Sequence, residues 1–364
     1  MSTPRINYAA RMTNAVAGRG ALTSTPFILV DVGASGGIEQ CWRVFAPSLK
    51  AYGFDPLVKE VERLNQVEPS PDIRYFAYFV GDPGYGELYP PSFASDSVLG
   101  WSDQVYERTS AVRAQQLMSM SFTQRFNNED PEIRLADQRT SLDEFFTHTH
   151  TPYVDFIKVD TDGHDYEVLL GARQTMAQKH VLGLLVECQL HGVRHPHSNL
   201  FSNIDRLLRE QGFSLFDFEI YRYSRAALPG HFVYEIPAQT HEGQVVWGDA
   251  LYFRDVTAAG YDQRWGALEP SKLLKLACLH ELFGMPDCAA ELLLQRRDAL
   301  SGLVDVDHAL DILANEMDPG SRGYRDRQAR FEQSPKSFFP APRRRPAPSL
   351  RSMLGALARR VRKW

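Results

Sequence analysis

The stretch that most constrains this chain is Ile28 to Gly37, which reads ILVDVGASGG. Three apolar residues, an acid and a glycine turn, in that order, read as a short buried strand running into a tight loop. Open α/β sheets bind their ligands just beyond the carboxyl ends of such strands. Gly33, Gly36 and Gly37 carry no Cβ, so a ligand can approach the backbone there. The following segment, 38–45, is predicted to start a helix whose amides face the same spot. Taken alone, a plain glycine turn without a ligand explains the stretch as well.

A dinucleotide-binding turn reads G-x-G-x-x-G, and here Ser35 stands where the second glycine belongs. Asp31 lies two residues before Gly33. This D-x-G-x-x-G pattern resembles the first motif of Rossmann-like methyltransferases that use S-adenosylmethionine. The amino acid end and sulfonium of that cofactor suit a carboxylate better than a bare phosphate nest. Asp55 closes a second apolar run, 51–54, and lies 22 residues after Gly33. An acid at about that distance can hold both hydroxyls of a ribose. Followed by Pro56, it also fits a helix N-cap, and one residue can do both.

Further strands are predicted at 73–80, 153–160, 181–187, 213–218 and 245–254. Helices are predicted at 56–66, 164–174 and 199–211, with another before 146 capped by Thr140 or Ser141. This alternation implies a mostly parallel sheet with helices on both faces, the last strand hairpinned onto an edge. Residues 1–26 read as a loosely structured arm. The polar stretch 92–131, with aromatics interspersed, reads as a lid-like insertion over the acceptor site. Leucines at helical spacing mark a small α-helical appendage over 265–330, and 331–349 is a Pro- and Ser-rich linker.

Tyr153 to Ala172 reads YVDFIKVDTDGHDYEVLLGA. With DVGASGG, YGFDP and RTSLDEFF, it closely resembles the FkbM family of S-adenosylmethionine-dependent methyltransferases, over roughly residues 27 to 254. The resemblance implies a class I, Rossmann-like methyltransferase domain over 27–256 with a seven-stranded sheet. It further implies O-methylation of a sugar, glycan or other small hydroxylated metabolite. Carried over by position, Asp31, Gly33 and Gly36 belong to the methionine end of the cofactor, Asp55 to the ribose and Asp82 to the adenine, with Ser35 of the same turn a further cofactor-binding candidate. Lys158, Asp160 and Asp162 fall beside the transferring methyl. Asp162 and Asp165 stand where the family has glutamates, each about one methylene shorter, and both also fit a helix N-terminus.

Methyl transfer to a hydroxyl needs alignment of oxygen, methyl and sulfur and a group to take the proton. The candidates are Asp160, His164, Glu187 and His191, with Lys158 beside them. Asp160, Asp162 and His164 could instead hold magnesium, which would bind two substrate hydroxyls. The run His191, His195, His197 has no zinc-site spacing, so no metal residues are assigned.

Charge excludes one class of partner. Residues 343–364 hold eight Lys and Arg and no acid, so against −5 overall the remaining chain carries about −13. An acidic body argues against nucleic acid. Leu350, Met353, Leu354, Leu357, Val361 and Trp364 fall on one face of a tail helix with basic flanks. That composition suits reversible contact with an anionic membrane surface, with packing on the body or a partner as the alternative. With no secretory segment and four scattered cysteines, the expected place is the cytoplasm, peripheral at the inner face of the membrane. An NAD-dependent oxidoreductase and a non-catalytic scaffold of the same fold remain the competing functions.

Overall fold

A computed structural model of the protein describes residues 6–84, 134–161, 163–190, 196–223, 239–318 and 320–338. Asp162, His191, His195, the insertion 92–131 and the tail 343–364 therefore lie outside the described residues.

The described residues contain ten strands: β1 Phe27–Val32, β2 Leu49–Asp55, β3 Ile73–Ala77, β4 Phe79–Val80, β5 Arg139–Thr140, β6 Phe156–Val159, β7 Gly183–Gln189, β8 Ser214–Tyr223, β9 Gln239–Thr240 and β10 Gln244–Phe253. The main sheet has the order β3-β2-β1-β6-β7-β10-β8-β9. The first five of these are parallel, while β10 runs antiparallel to both β7 and β8. The seven long strands are thus ordered 3-2-1-4-5-7-6, with two-residue β9 added at the edge. The last strand is therefore inserted between its neighbours rather than hairpinned onto an edge. The all-parallel 3-2-1-4-5-6 order of dinucleotide-binding folds has no such strand. β4 and β5 pair separately and tie the turn after β3 to the chain entering the helix Leu142–His148.

Strand alternation sends side chains to two cores. Phe27, Leu29, Phe156, Leu185, Leu251 and Phe253 face one layer, with Trp42, Val61, Leu64 and the helix Pro270–Leu282. Ile28, Val30, Ile157, Leu184 and Tyr252 face the other, with Phe145, Val168, Leu169 and Leu207. The expected helical region at the C-terminal end is present, and it covers the sheet. Asp155, fully buried at the entrance to β6, accepts from the ammoniums of Lys272 (2.6 Å) and Lys275 (2.8 Å) and from the amide of Ile28 (2.8 Å). Breaking such a buried pair is strongly destabilising, so these charges fix the helix to the strands.

Four local expectations differ. The arm expected over 1–26 contains the helix Arg11–Gly18, whose first turn is held by Glu281: its carboxylate accepts from the amides of Met12 and Thr13, each at 2.7 Å. The helix expected over 38–45 is only the 3₁₀ turn Gln40–Phe45, confined between Gly37 and Pro47. The helix after β2 starts at Val58, with Leu57 at its N-cap. Asp55 instead accepts from the Leu57 amide at 2.8 Å. The helix expected over 164–174 is two, Asp165–Leu170 and Arg173–Gln178. Between them, a Cβ on Gly171 would lie 2.7 Å from the carbonyl oxygen of Gly81.

Candidate active site

The carboxyl ends of β1, β2 and β6 bring several of the sequence candidates together. Asp31 and Lys158 are register partners on β1 and β6. The Lys158 ammonium lies 3.3 Å from Asp31 and 3.5 Å from Asp160. Burial pushes the Asp31 carboxyl up to about 6, against the pull of Lys158. Burial lowers the Lys158 pKa, but the charges of Asp31, Asp160 and Glu39 outweigh it and raise the value overall. The lysine is therefore held protonated. Asp160 is the most open member, its side chain 35% exposed against 2% for Asp31.

The glycine turn above them has its own logic. Gly33, Gly36 and Gly37 all have positive φ, at +88°, +86° and +90°, a region only glycine enters readily. Gly33 faces the protein: a Cβ there would fall 1.8 Å from the Asp160 carbonyl oxygen. Gly36 faces open space, with nothing within 4 Å of that position. Most of the turn's amides are already used. Gly33 and Ala34 donate to the Phe54 carbonyl at 2.9 and 3.0 Å, and Gly37 donates to Ala34 at 2.9 Å. Gly36 donates to Glu60 at 3.0 Å. Four of the five amides over residues 33–37 thus donate to protein acceptors. Burial raises the Asp55 pKa, and the amides of Leu57 and Ser35 oppose this.

The remaining candidates are dispersed. Asp82 accepts from the Gly84 amide at 2.7 Å, closing the turn after β4. His164 lies with its Nδ1 3.3 Å from Glu167, which also meets Arg139 at 3.7 Å. Asp165 is fully buried and accepts from the Thr161 amide and hydroxyl, both at 2.9 Å, and from the Asn199 amide at 2.8 Å. Its contacts are those of a residue that fixes the turn after β6. Glu187 sits at the carboxyl end of β7, directly opposite Asp249 of β10.

Asp249 was not among the sequence candidates. It pairs with Glu187 on one side and Glu219 of β8 on the other. The Tyr221 hydroxyl donates to it at 3.0 Å, and the Tyr221 ring stacks on Trp247 with centroids 3.8 Å apart. Burial pushes the Asp249 pKa up to about 7. The negative charges of Asp160 and Glu219 add to this, and the Tyr221 hydrogen bond and Lys158 oppose it. One signal was available in VVWGDALYFR. Asp249 alternates in step with Leu251 and Phe253, so an acid occupies a core-facing register. Among the described residues, no group of three His, Cys, Asp or Glu is arranged to hold a metal ion.

Comparison with known proteins gives a family. A family model described as the methyltransferase FkbM domain matches residues 31–215. Among solved structures, magnesium protoporphyrin IX methyltransferase from Synechocystis, with bound SAM, is 9% identical over 68% of this chain and 80% of that one, with a TM-score of 0.29. A TehB-like SAM-dependent methyltransferase from Corynebacterium glutamicum is 12% identical over 68% of this chain and 88% of that one, with a TM-score of 0.27. No curated protein matches the chain.

Proposed function

Because the chain belongs to the FkbM methyltransferase family, we propose that it moves the methyl group of S-adenosylmethionine to a hydroxyl of a sugar, glycan or other small hydroxylated metabolite. The observation that carries this reading is the filled glycine turn. With the amides of Gly33, Ala34, Gly36 and Gly37 all donating to protein acceptors, the turn has no nest of several free donors for a pyrophosphate. It offers carboxylates instead, at Asp31 and Asp55. That set of acceptors fits a cofactor with an α-amino group, a sulfonium and a ribose, and argues against a dinucleotide.

The residues divide the work as follows. Asp55, at the end of β2, accepts from the ribose hydroxyls. Gly36 leaves the space through which the cofactor passes the turn. Asp31 and Asp160, bridged by Lys158, present negative charge to the sulfonium end. The cofactor supplies an activated methyl. The protein then aligns the acceptor oxygen with that methyl, excludes water and takes the acceptor's proton. Alignment of reacting groups supplies about 7–11 kcal/mol in the best intramolecular cases. A positioned base adds about 10² to 10⁴-fold. Asp160, Glu187, His164 and His191 remain the sequence-derived candidates for that base.

Titration calorimetry with S-adenosylhomocysteine and with NAD tests the cofactor. Methyl-labelled S-adenosylmethionine offered with a panel of sugars, polyols, phenols and amines tests the transfer. The expected outcome is binding of the nucleoside thioether and label in a base-stable ether. Binding of NAD alone, or label only on nitrogen or carbon, would overturn the reading.

A further inference from the structure

The sheet continues the site past the residues that the sequence suggested. Asp31 and Lys158 pair across β1 and β6, and Asp249 pairs with Glu187 on β7 and with Glu219 on β8. Cross-strand partners share a face. Asp249 is on the face of Leu251 and Phe253, Glu187 on that of Leu185, and Lys158 on that of Phe156, all in one core layer. The carboxyl edge of the sheet therefore carries a line of ionisable groups on one face. It runs from the cofactor turn at β1 to the antiparallel pair β10 and β8. Among the described residues, the charged groups that face Asp249 lie on this line: Lys158 from β6 and Asp160 just beyond it, Glu187 from β7 and Glu219 from β8, with the Tyr221 hydroxyl.

We propose that Asp249, oriented by the Tyr221 hydroxyl, is the carboxylate that takes the acceptor's proton as its oxygen attacks the methyl. This rests on the methyltransferase reading above. A new O–C bond forms, the C–S bond breaks with its electron pair left on sulfur, and the hydroxyl proton passes to a carboxylate oxygen of Asp249. Three features suit it to the role. The Tyr221 hydrogen bond at 3.0 Å fixes its orientation, and the Tyr221–Trp247 stack in turn limits movement of Tyr221. Its half-buried place in the acidic line holds its pKa up to about 7, where a base is ionised yet still basic enough to work. Asp31, by contrast, is buried against Lys158, and Asp165 is bound to Thr161 and Asn199.

The test does not depend on knowing the acceptor. Carboxyl ¹³C NMR titration, with the Asp249 signal assigned by its loss in Asp249→Asn, is run on two complexes. One holds S-adenosylhomocysteine, a neutral thioether; the other holds an analogue with an ammonium group in place of the methylsulfonium. A unit positive charge within about 8 Å lowers a carboxyl pKa by about one unit or more at the screening found in proteins. Asp249 is therefore expected to titrate about one unit or more lower in the charged complex. In Tyr221→Phe it should titrate higher in both complexes, because a hydrogen bond to the ionised form is lost. In Glu219→Gln it should titrate lower, because a like charge is removed. Equal titration of Asp249 in the two complexes would place it away from the methyl and overturn the proposal. Failure of both nucleosides to bind would instead refute the cofactor assignment on which it rests.

Discussion

Gly33 and Gly36 look interchangeable in sequence, and the structure gives them opposite consequences. Their φ angles are +88° and +86°. The left-handed strain on an alanine, about 1–2 kcal/mol, is therefore common to both and drops out of the comparison. What differs is space. A Cβ at residue 33 falls 1.8 Å from the Asp160 carbonyl oxygen and 2.8 Å from its carbon, whereas at residue 36 it meets nothing within 4 Å. The clash at residue 33 is with backbone and cannot be relieved by a rotamer change. β1 and β6 must part there, straining the bond from the Asp160 amide to the Val32 carbonyl, now 2.9 Å. Overpacking of that kind adds about 1–3 kcal/mol. Gly33→Ala is thus expected to lose about 2–5 kcal/mol of stability and Gly36→Ala about 1–2. Urea unfolding at pH 7 measures both, and titration with S-adenosylhomocysteine follows on the folded fraction. Gly36→Ala should stay folded and bind the nucleoside weakly, because its methyl enters the cofactor's space. Equal urea midpoints for the two variants would refute the reasoning about Gly33. Wild-type affinity in Gly36→Ala would refute it about Gly36.

Three more outcomes are expected. Asp55→Ala should weaken S-adenosylmethionine binding by about 1.5–3 kcal/mol, the usual loss for hydrogen bonds to a charged group; calorimetry showing wild-type affinity would remove Asp55 from the ribose role. Burial pushes the His280 pKa from 6.5 down to about 3, so the stability it contributes is present above pH 6.5 and is lost as pH falls from there toward 3, by up to about 1.4 kcal/mol per unit. Urea midpoints between pH 7 and 4.5 should therefore fall less steeply in His280→Leu, and parallel curves would contradict this. No helix among the described residues is long and apolar enough to cross a membrane. Sedimentation with anionic vesicles at low salt should carry the full chain and not one ending at Pro342; equal sedimentation of the two would end the membrane proposal for the tail.

The parts of this fold that the sequence announced are those set by local pattern. The apolar runs of β1, β2 and β7 and the Ser141 cap, which accepts from the Glu144 amide at 3.1 Å, depend on neighbours a few residues away. The parts it concealed depend on distant ones. The first turn of the helix Arg11–Gly18 is held by Glu281, some 270 residues on, and no periodicity near residue 11 reports that. The glycine after Leu170 is required because a Cβ there would lie against the Gly81 carbonyl, beside the β4–β5 pair. The site divides in the same way. Asp31 and Asp160 were legible from glycine spacing and family motif. Asp249 looked like one more strand residue until the antiparallel register set it between Glu187 and Glu219.

That register also bears on the direction in which charge moves. Transfer from a sulfonium to a neutral hydroxyl removes positive charge from sulfur and passes it to the acceptor oxygen and then to its proton. Carboxylates clustered only at the cofactor would hold that charge where it starts and slow the step, since only interactions stronger in the transition state accelerate it. Here Lys158 sits between Asp31 and Asp160 and offsets them at the cofactor end. At Asp249 the balance reverses, because the influences of Asp160 and Glu219 each exceed that of Lys158. This contrast between the two ends runs in the direction that the positive charge would take in the proposed transfer. Under the proposed chemistry, replacing Lys158 by methionine would remove the offset. Any folded Lys158→Met protein should then bind the charged nucleoside analogue more tightly relative to S-adenosylhomocysteine than the wild type does, at a pH high enough to keep Asp31 ionised without the pull of its lysine. An unchanged ratio of the two affinities, read by calorimetry, would show that Lys158 does not set this contrast.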